Sequence, residues 1–108
     1  MAKKRESRRQ RTIRKGLEKE FPGSQWKKIH GGWFQDAGIL DLIGCVHGLY
    51  FEFEVKEPDG ELSELQCERI DDIIAAGGTA AEVITLEEAI KLVYAALRKA
   101  GRLPKKSR

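Results

Sequence analysis

The sequence predicts a single small α/β domain with elements in the order α-β-β-β-α-β-α and a mixed sheet flanked by helices. Three observations predict it. An amphipathic basic segment opens the chain, two strand-like runs meet at His47-Gly48, and two capping-box signatures each open an apolar-striped helix around a short β-tolerant run. At 108 residues the chain is sized for one core, so residues 1–108 are expected to form one domain.

The first helix is expected from Glu6 to Phe21, because Ile13, Leu17 and Phe21 recur at four-residue intervals before Pro22-Gly23 ends the stripe. Gln25 to His30 reads as a short strand, followed by Gly31-Gly32 and a loop carrying Trp33 and Phe34. Ile39 to Val46 is an apolar strand interrupted by Asp41. His47-Gly48 then suits a tight turn into Leu49–Lys56, where Leu49, Phe51, Phe53 and Val55 alternate with Tyr50, Glu52, Glu54 and Lys56, one face core and the other polar.

Pro58-Asp59-Gly60 marks a turn. Ser63 and Gln66 have the spacing of a capping box and start a helix running to about Ala76, which Gly77-Gly78 stops. Thr79 to Ile84 is a strand, and Thr85 with Glu88 caps a last helix reaching about Lys99. Val83, Ile84, Leu86, Ile90, Val93 and Leu97 are expected in the core, with Trp26 and Trp33 in core or interface.

The net charge of +3 hides a segregation. Residues 1–20 carry nine Lys/Arg against three Glu, residues 98–108 carry six Lys/Arg and no acid, and the body between them is acidic. Basic ends near residues 1–12 and 98–108 suit a polyanion such as DNA, since each phosphate contact releases counterions, although solubilising tails have the same composition. No run of about 18 apolar residues spans a bilayer and no signal-like apolar segment follows the basic start, so no membrane role and a cytoplasmic location are expected. Cys45 and Cys67 lack zinc-site spacing and read as reduced packing residues.

Chemistry concentrates in the hairpin. Glu54 and Lys56, two apart on one strand, project from one face about 7 Å apart. Asp41, on the strand expected to pair with theirs, breaks an apolar run and must be exposed, paired or metal-bound. Opposite Glu54 it completes a two-carboxylate site whose oxygen ligands suit Mg²⁺ or Mn²⁺, with Lys56 beside a reacting phosphate. Solvated surface charges are the competing reading of a Glu-Lys pair. Gln66, on one stripe with Ile70, Ile73 and Ile74, either faces the site or serves as the partner of Ser63, and the two roles are compatible.

The stretch GGWFQDAGILDLIGCVHGLYFEFEVKEPDGELSELQ resembles the VRR-NUC domains of the PD-(D/E)xK nuclease superfamily, and the similarity runs from Glu6 to about Ile90, as in short stand-alone bacteriophage members. The resemblance implies a restriction-endonuclease-like fold and a metal-dependent endonuclease hydrolysing DNA, structure-selective in the manner of a homodimeric Holliday-junction resolvase. It assigns Asp41 to metal binding, Glu54 and Lys56 to the (D/E)xK pair, Gln66 to the following helix, the Val55 carbonyl to the metal, and Glu6, on the first helix, to completing the metal shell. Lys28, His30, Arg5, Arg8 and Arg9 become candidates for DNA contact. Leu40 departs from the family's motif, which has Pro before the metal-binding Asp. A non-catalytic nucleic-acid-binding module of the same fold is the alternative. Glu52, on the face of Glu54, is a candidate supporting residue, whereas His47 is assigned to a turn and Asp36 to a loop.

Overall fold

The computed structural model describes residues 6–29 and 38–103. Arg5, His30, Gly31-Gly32, Trp33, Phe34 and Asp36 lie outside the described residues, as do the outermost parts of both basic ends.

Among the described residues three helices and four strands follow the expected order: α1 (Arg8–Glu20), β1 (Gln25–Lys28), β2 (Leu42–Val46), β3 (Leu49–Val55), α2 (Glu64–Ala75), β4 (Thr79–Val83) and α3 (Leu86–Lys99). The sheet order is β1-β2-β3-β4. β1, β2 and β3 form an antiparallel meander, and the crossover through α2 returns β4 parallel to β3. At the β2–β3 turn His47 and Gly48 both take positive φ, the requirement of a two-residue hairpin that keeps the strands' twist.

All three helices begin with a complete capping box: Ser7 with Gln10, Ser63 with Gln66, and Thr85 with Glu88. The first box moves the start of α1 to Arg8, so Glu6 stands before the cap rather than on the helix. β1 and β2 are also shorter at their shared end than the pattern predicts. There the chain bends at Asp41, and Leu40 turns away from the strand into a cluster with Ile73 and Ala80.

One face of the sheet carries the main core, in which Ile13, Leu17 and Phe21 of α1 and Ala89, Val93 and Leu97 of α3 cover Trp26, Leu42, Val46, Phe51, Phe53 and Val83. Each large side chain in it contributes about 1.5–3 kcal/mol by leaving water. Of the six expected core residues in the C-terminal third, Val83, Val93 and Leu97 are buried and Ile84, Leu86 and Ile90 partly so. Gly44 is needed where it stands, since a Cβ there would lie 2.2 Å from the Trp26 ring that crosses β2.

On the opposite face α2 packs over β4. It covers Glu52 and Glu54, so the polar face of β3 is buried rather than solvated. Gln25, Lys27 and Cys45 at the β1–β2 end of the sheet stay exposed. Cys45 and Cys67 are both exposed free thiols and not packing residues, one on this open part of the sheet and the other on the outer side of α2. Ile73 of the expected α2 stripe is buried, whereas Ile74 is 55% exposed.

Candidate active site

The hairpin register pairs Leu42 with Phe53, and one step further along it Asp41 faces Glu54. The two carboxylates are held in unlike ways. Asp41 Oδ2 accepts the Val55 backbone N–H at 3.0 Å, and its Oδ1 accepts from the Lys28 ammonium at 3.2 Å. Lys28 is only 8% exposed, so this ion pair sits largely out of water.

Glu54 is 6% exposed, and its Oε1 is buried with no hydrogen-bond partner among the described residues. The Lys56 ammonium stands 3.6 Å from its other oxygen. Burial pushes the Glu54 carboxyl above the ordinary range and the neighbouring Asp41 charge pushes it further, against the opposing pull of Lys56, the Gln66 amide and the Asp41 backbone N–H. Gln66 Oε1 accepts the Ser63 N–H in the capping box, and the Gln66 side chain also stands beside Glu54.

An unpartnered carboxylate oxygen beside a second carboxylate fits a divalent cation, because a cation would repay the desolvation that neighbouring protein groups leave uncompensated. Among the described residues no group of three His, Cys, Asp or Glu side chains comes together.

Glu6 is committed elsewhere. Arg14 donates to both of its oxygens, and Arg11 lies 3.5 Å away. These contacts, the Arg14 hydrogen bond foremost, hold its carboxyl below the usual range although partial burial opposes them. Glu6 and Arg14 do line a hollow of about 270 Å³ together with Trp26, Lys27 and Lys28, which places them next to the Lys28–Asp41 pair. Of the basic residues expected to meet DNA, Arg8 is exposed. Arg9 instead clamps Glu57 and the Ile84 carbonyl, fastening α1 to the ends of the β3–α2 loop and β4.

The feature least visible beforehand is the surroundings of Glu52. This carboxylate is 0% exposed, and four hydrogen bonds satisfy it. Arg69 of α2 donates through Nε to Oε1 and through Nη2 to Oε2, each at 2.9 Å, the Leu40 N–H reaches Oε1 at 3.0 Å, and the Tyr50 hydroxyl donates to Oε2. Burial raises the carboxyl, but Arg69, Leu40 and Tyr50 together outweigh it and hold it below the ordinary range. Burial and the Glu52 contact push the Tyr50 phenol up to about 12. The available signal for Arg69 was its position three residues after Gln66, which puts a cation on the inner side of α2.

Compared by sequence, the chain matches no family model and no curated protein. Among solved structures, one described as "VRR_NUC domain" superposes with a TM-score of 0.59 over 76% of this chain and 90% of that one, at 19% identity. The protein has the VRR-NUC fold. The three helices and four-stranded mixed sheet of the described residues are consistent with a restriction-endonuclease-like fold. Within the VRR-NUC fold of this chain, Asp41, Glu54, Lys56 and Gln66 meet at one end of the β2–β3 hairpin, beneath the start of α2. Among the described residues no helix is long and apolar enough to cross a membrane.

Proposed function

We propose that this protein is a divalent-metal-dependent endonuclease that hydrolyses the phosphodiester backbone of DNA. The observation that carries the reading is the adjacency of Asp41 and Glu54 together with the buried, unpartnered Oε1 of Glu54, with the Lys56 ammonium at 3.6 Å. Asp41, Glu54 and the Val55 carbonyl would hold Mg²⁺ or Mn²⁺, which supplies Lewis acidity toward a phosphodiester oxygen and makes bound water a stronger nucleophile. Lys56 is placed to donate to an attacking water or to the charge developing on the phosphate, and Gln66 to orient either from the α2 N-terminus, an end of a helix that itself favours anions. Lys28 would turn to the phosphate once Asp41 has another cation, with the exposed Arg8 available to the flanking backbone; Arg5 and His30, outside the described residues, are further candidates for DNA contact from the sequence alone. A branched DNA substrate and a homodimer, which the sequence resemblance implies, and a cytoplasmic location, which the sequence composition suggests, belong to the same proposal.

The test is incubation of the purified protein with linear, flapped and four-way-junction DNA in Mg²⁺, Mn²⁺ or chelator. Cleavage is expected with metal alone, and Lys56→Ala and Asp41→Ala should each lose about 100-fold or more. Absence of cleavage on every substrate, or full activity of both variants, defeats the mechanism.

One observation favours a second reading, a nucleic-acid-binding module without turnover: the Lys28 ammonium already neutralises Asp41. That reading predicts salt-sensitive DNA binding with no cleavage, unchanged by Asp41→Asn.

A further inference from the structure

We propose that Glu52, gripped by Arg69, is a positioning residue that fixes the Asp41 carboxylate in front of Glu54. This inference rests on the nuclease reading for its catalytic meaning, but its structural content stands without it.

Asp41 lies at a bend just beyond the β2 ladder, where its carbonyl accepts the Ile29 N–H at 2.7 Å and its own N–H reaches Glu54; these bonds hold its backbone and do not orient its side chain. Two contacts hold the segment before it. Gly38 takes φ +88° and lies so close to α2 that a Cβ would be 2.6 Å from the Leu65 carbonyl oxygen. Leu40 buries its side chain against Ile73 and Ala80 while its N–H donates to Glu52 Oε1. Glu52 is in turn immobilised by the two-pronged Arg69 contact from α2 and by Tyr50. The planar guanidinium fixes the orientation of the carboxylate plane, and that plane fixes the Leu40 N–H and so the Ile39–Leu40 peptide, one residue before Asp41.

The chain of contacts Arg69–Glu52–Leu40–Asp41 ends on the Val55 N–H, which donates to Asp41 Oδ2. α2 thus reaches both carboxylates of the site, Glu54 directly through Gln66 and Asp41 indirectly through Arg69. Supporting residues of this kind commonly change metal affinity about 10–100-fold when replaced.

The experiment reads Asp41 without metal. Hydrogen exchange of the Val55 amide, resolved by NMR in the metal-free protein, reports whether Asp41 Oδ2 stays in place. Two double variants remove the ion pair as a unit: Glu52→Met with Arg69→Met takes away the acceptor of the Leu40 N–H, while Glu52→Gln with Arg69→Met keeps an acceptor oxygen there. The first is expected to lower Val55 protection at least about tenfold relative to β2–β3 amides remote from the site, the second to restore most of it. A general loss of stability would lower all of these amides together.

Arg69→Lys, which keeps the charge but loses the fork, is expected to fall between wild type and the Met pair, and serves if the Met pair does not fold. Equal relative protection of Val55 in wild type and in either of these variants overturns the proposal. Calorimetric titration with Mn²⁺ on the same proteins separates the two readings. Wild type that binds no Mn²⁺ while Val55 protection depends on Glu52 leaves the positioning role standing and removes the nuclease reading.

Discussion

Glu52 and Glu54 are two residues apart on one face of β3, both buried beneath α2, and they are opposites. Glu52 has a donor for every direction it can accept from, and its carboxyl is held below the ordinary range. Glu54 has an oxygen with no partner among the described residues, and its carboxyl is driven above that range by burial and by Asp41. The same side chain on the same strand face is a finished structural element at one position and an unfinished one at the next. Buried polar groups are nearly always satisfied, so the incomplete site is the one to search for a ligand.

The largest effects should separate the two glutamates by activity. Glu54→Gln removes one of the two candidate ligand carboxylates while keeping the shape, and it should cost about 100-fold or more in metal-dependent cleavage, with thermal stability unchanged or slightly higher because no buried ion remains uncompensated. Melting curves and cleavage rates of the same preparation check both halves. A Glu54→Gln variant that is fully active, or one that melts well below wild type, would mean the two sites do not differ as described.

Glu52→Gln should behave in the reverse manner at the level of stability. Removing one partner of a buried pair costs about 3–5 kcal/mol, and the lower end applies because Arg69 is 34% exposed and can turn to water. For a domain of this size that is a fall in Tm on the order of 10 °C. Thermal unfolding that leaves Glu52→Gln level with wild type would remove the contrast from the energetic side.

Much of this architecture is legible before any coordinates. Period-two alternation places Phe51 and Phe53 inside, three-residue spacing marks the Ser63 and Thr85 caps, and the hairpin turn sets Asp41 one step beyond the Leu42–Phe53 pair, near Glu54. The contrast between Glu52 and Glu54 is not legible, because alternation assigns both to a polar face and says nothing about whether a helix later covers it. Arg69 becomes their difference only when α2 docks, an arrangement set by tertiary packing of Leu40, Ile73 and Ala80. Leu40 reads as a strand residue by pattern and leaves the strand because that small second core draws it away. The Lys28–Asp41 pair was hidden for a related reason: it depends on the β1–β2 register across a long connection with no turn signature of its own.

The two carboxylates should also carry opposite pH signatures. The folded protein holds the Glu54 proton more tightly than the unfolded chain, so its contribution to stability declines as pH rises from the ordinary carboxylate value, 4.5, through the raised one. Glu52 is the reverse: its contribution is complete above 4.5 and is lost as pH falls through its lowered value. Because a cation requires ionised Glu54, Mn²⁺ affinity should climb up to about tenfold per pH unit below the raised value and then level off, with proton release detectable by calorimetry in buffers of different ionisation enthalpy. An affinity that is flat across roughly pH 5 to 8, or a slope that survives Glu54→Gln, would assign the proton elsewhere.

Glu6 supplies the finest division, since it lies beside the same site yet shares the character of Glu52. Its carboxylate is taken by Arg14 and Arg11, and a cation could use it only by breaking those contacts. Arg14 and Glu6 are only 23% and 12% exposed, so detaching the carboxylate costs more than breaking a surface pair would. If satisfaction by arginine is what distinguishes a structural carboxylate here, Glu6→Gln should change Mn²⁺ affinity less than about threefold, well under the 10–100-fold typical of groups that support a metal. A loss within that larger range would show that metal binding pulls Glu6 away from Arg14, and hydrogen-bond saturation in the metal-free protein would then no longer mark which carboxylates stay out of the site.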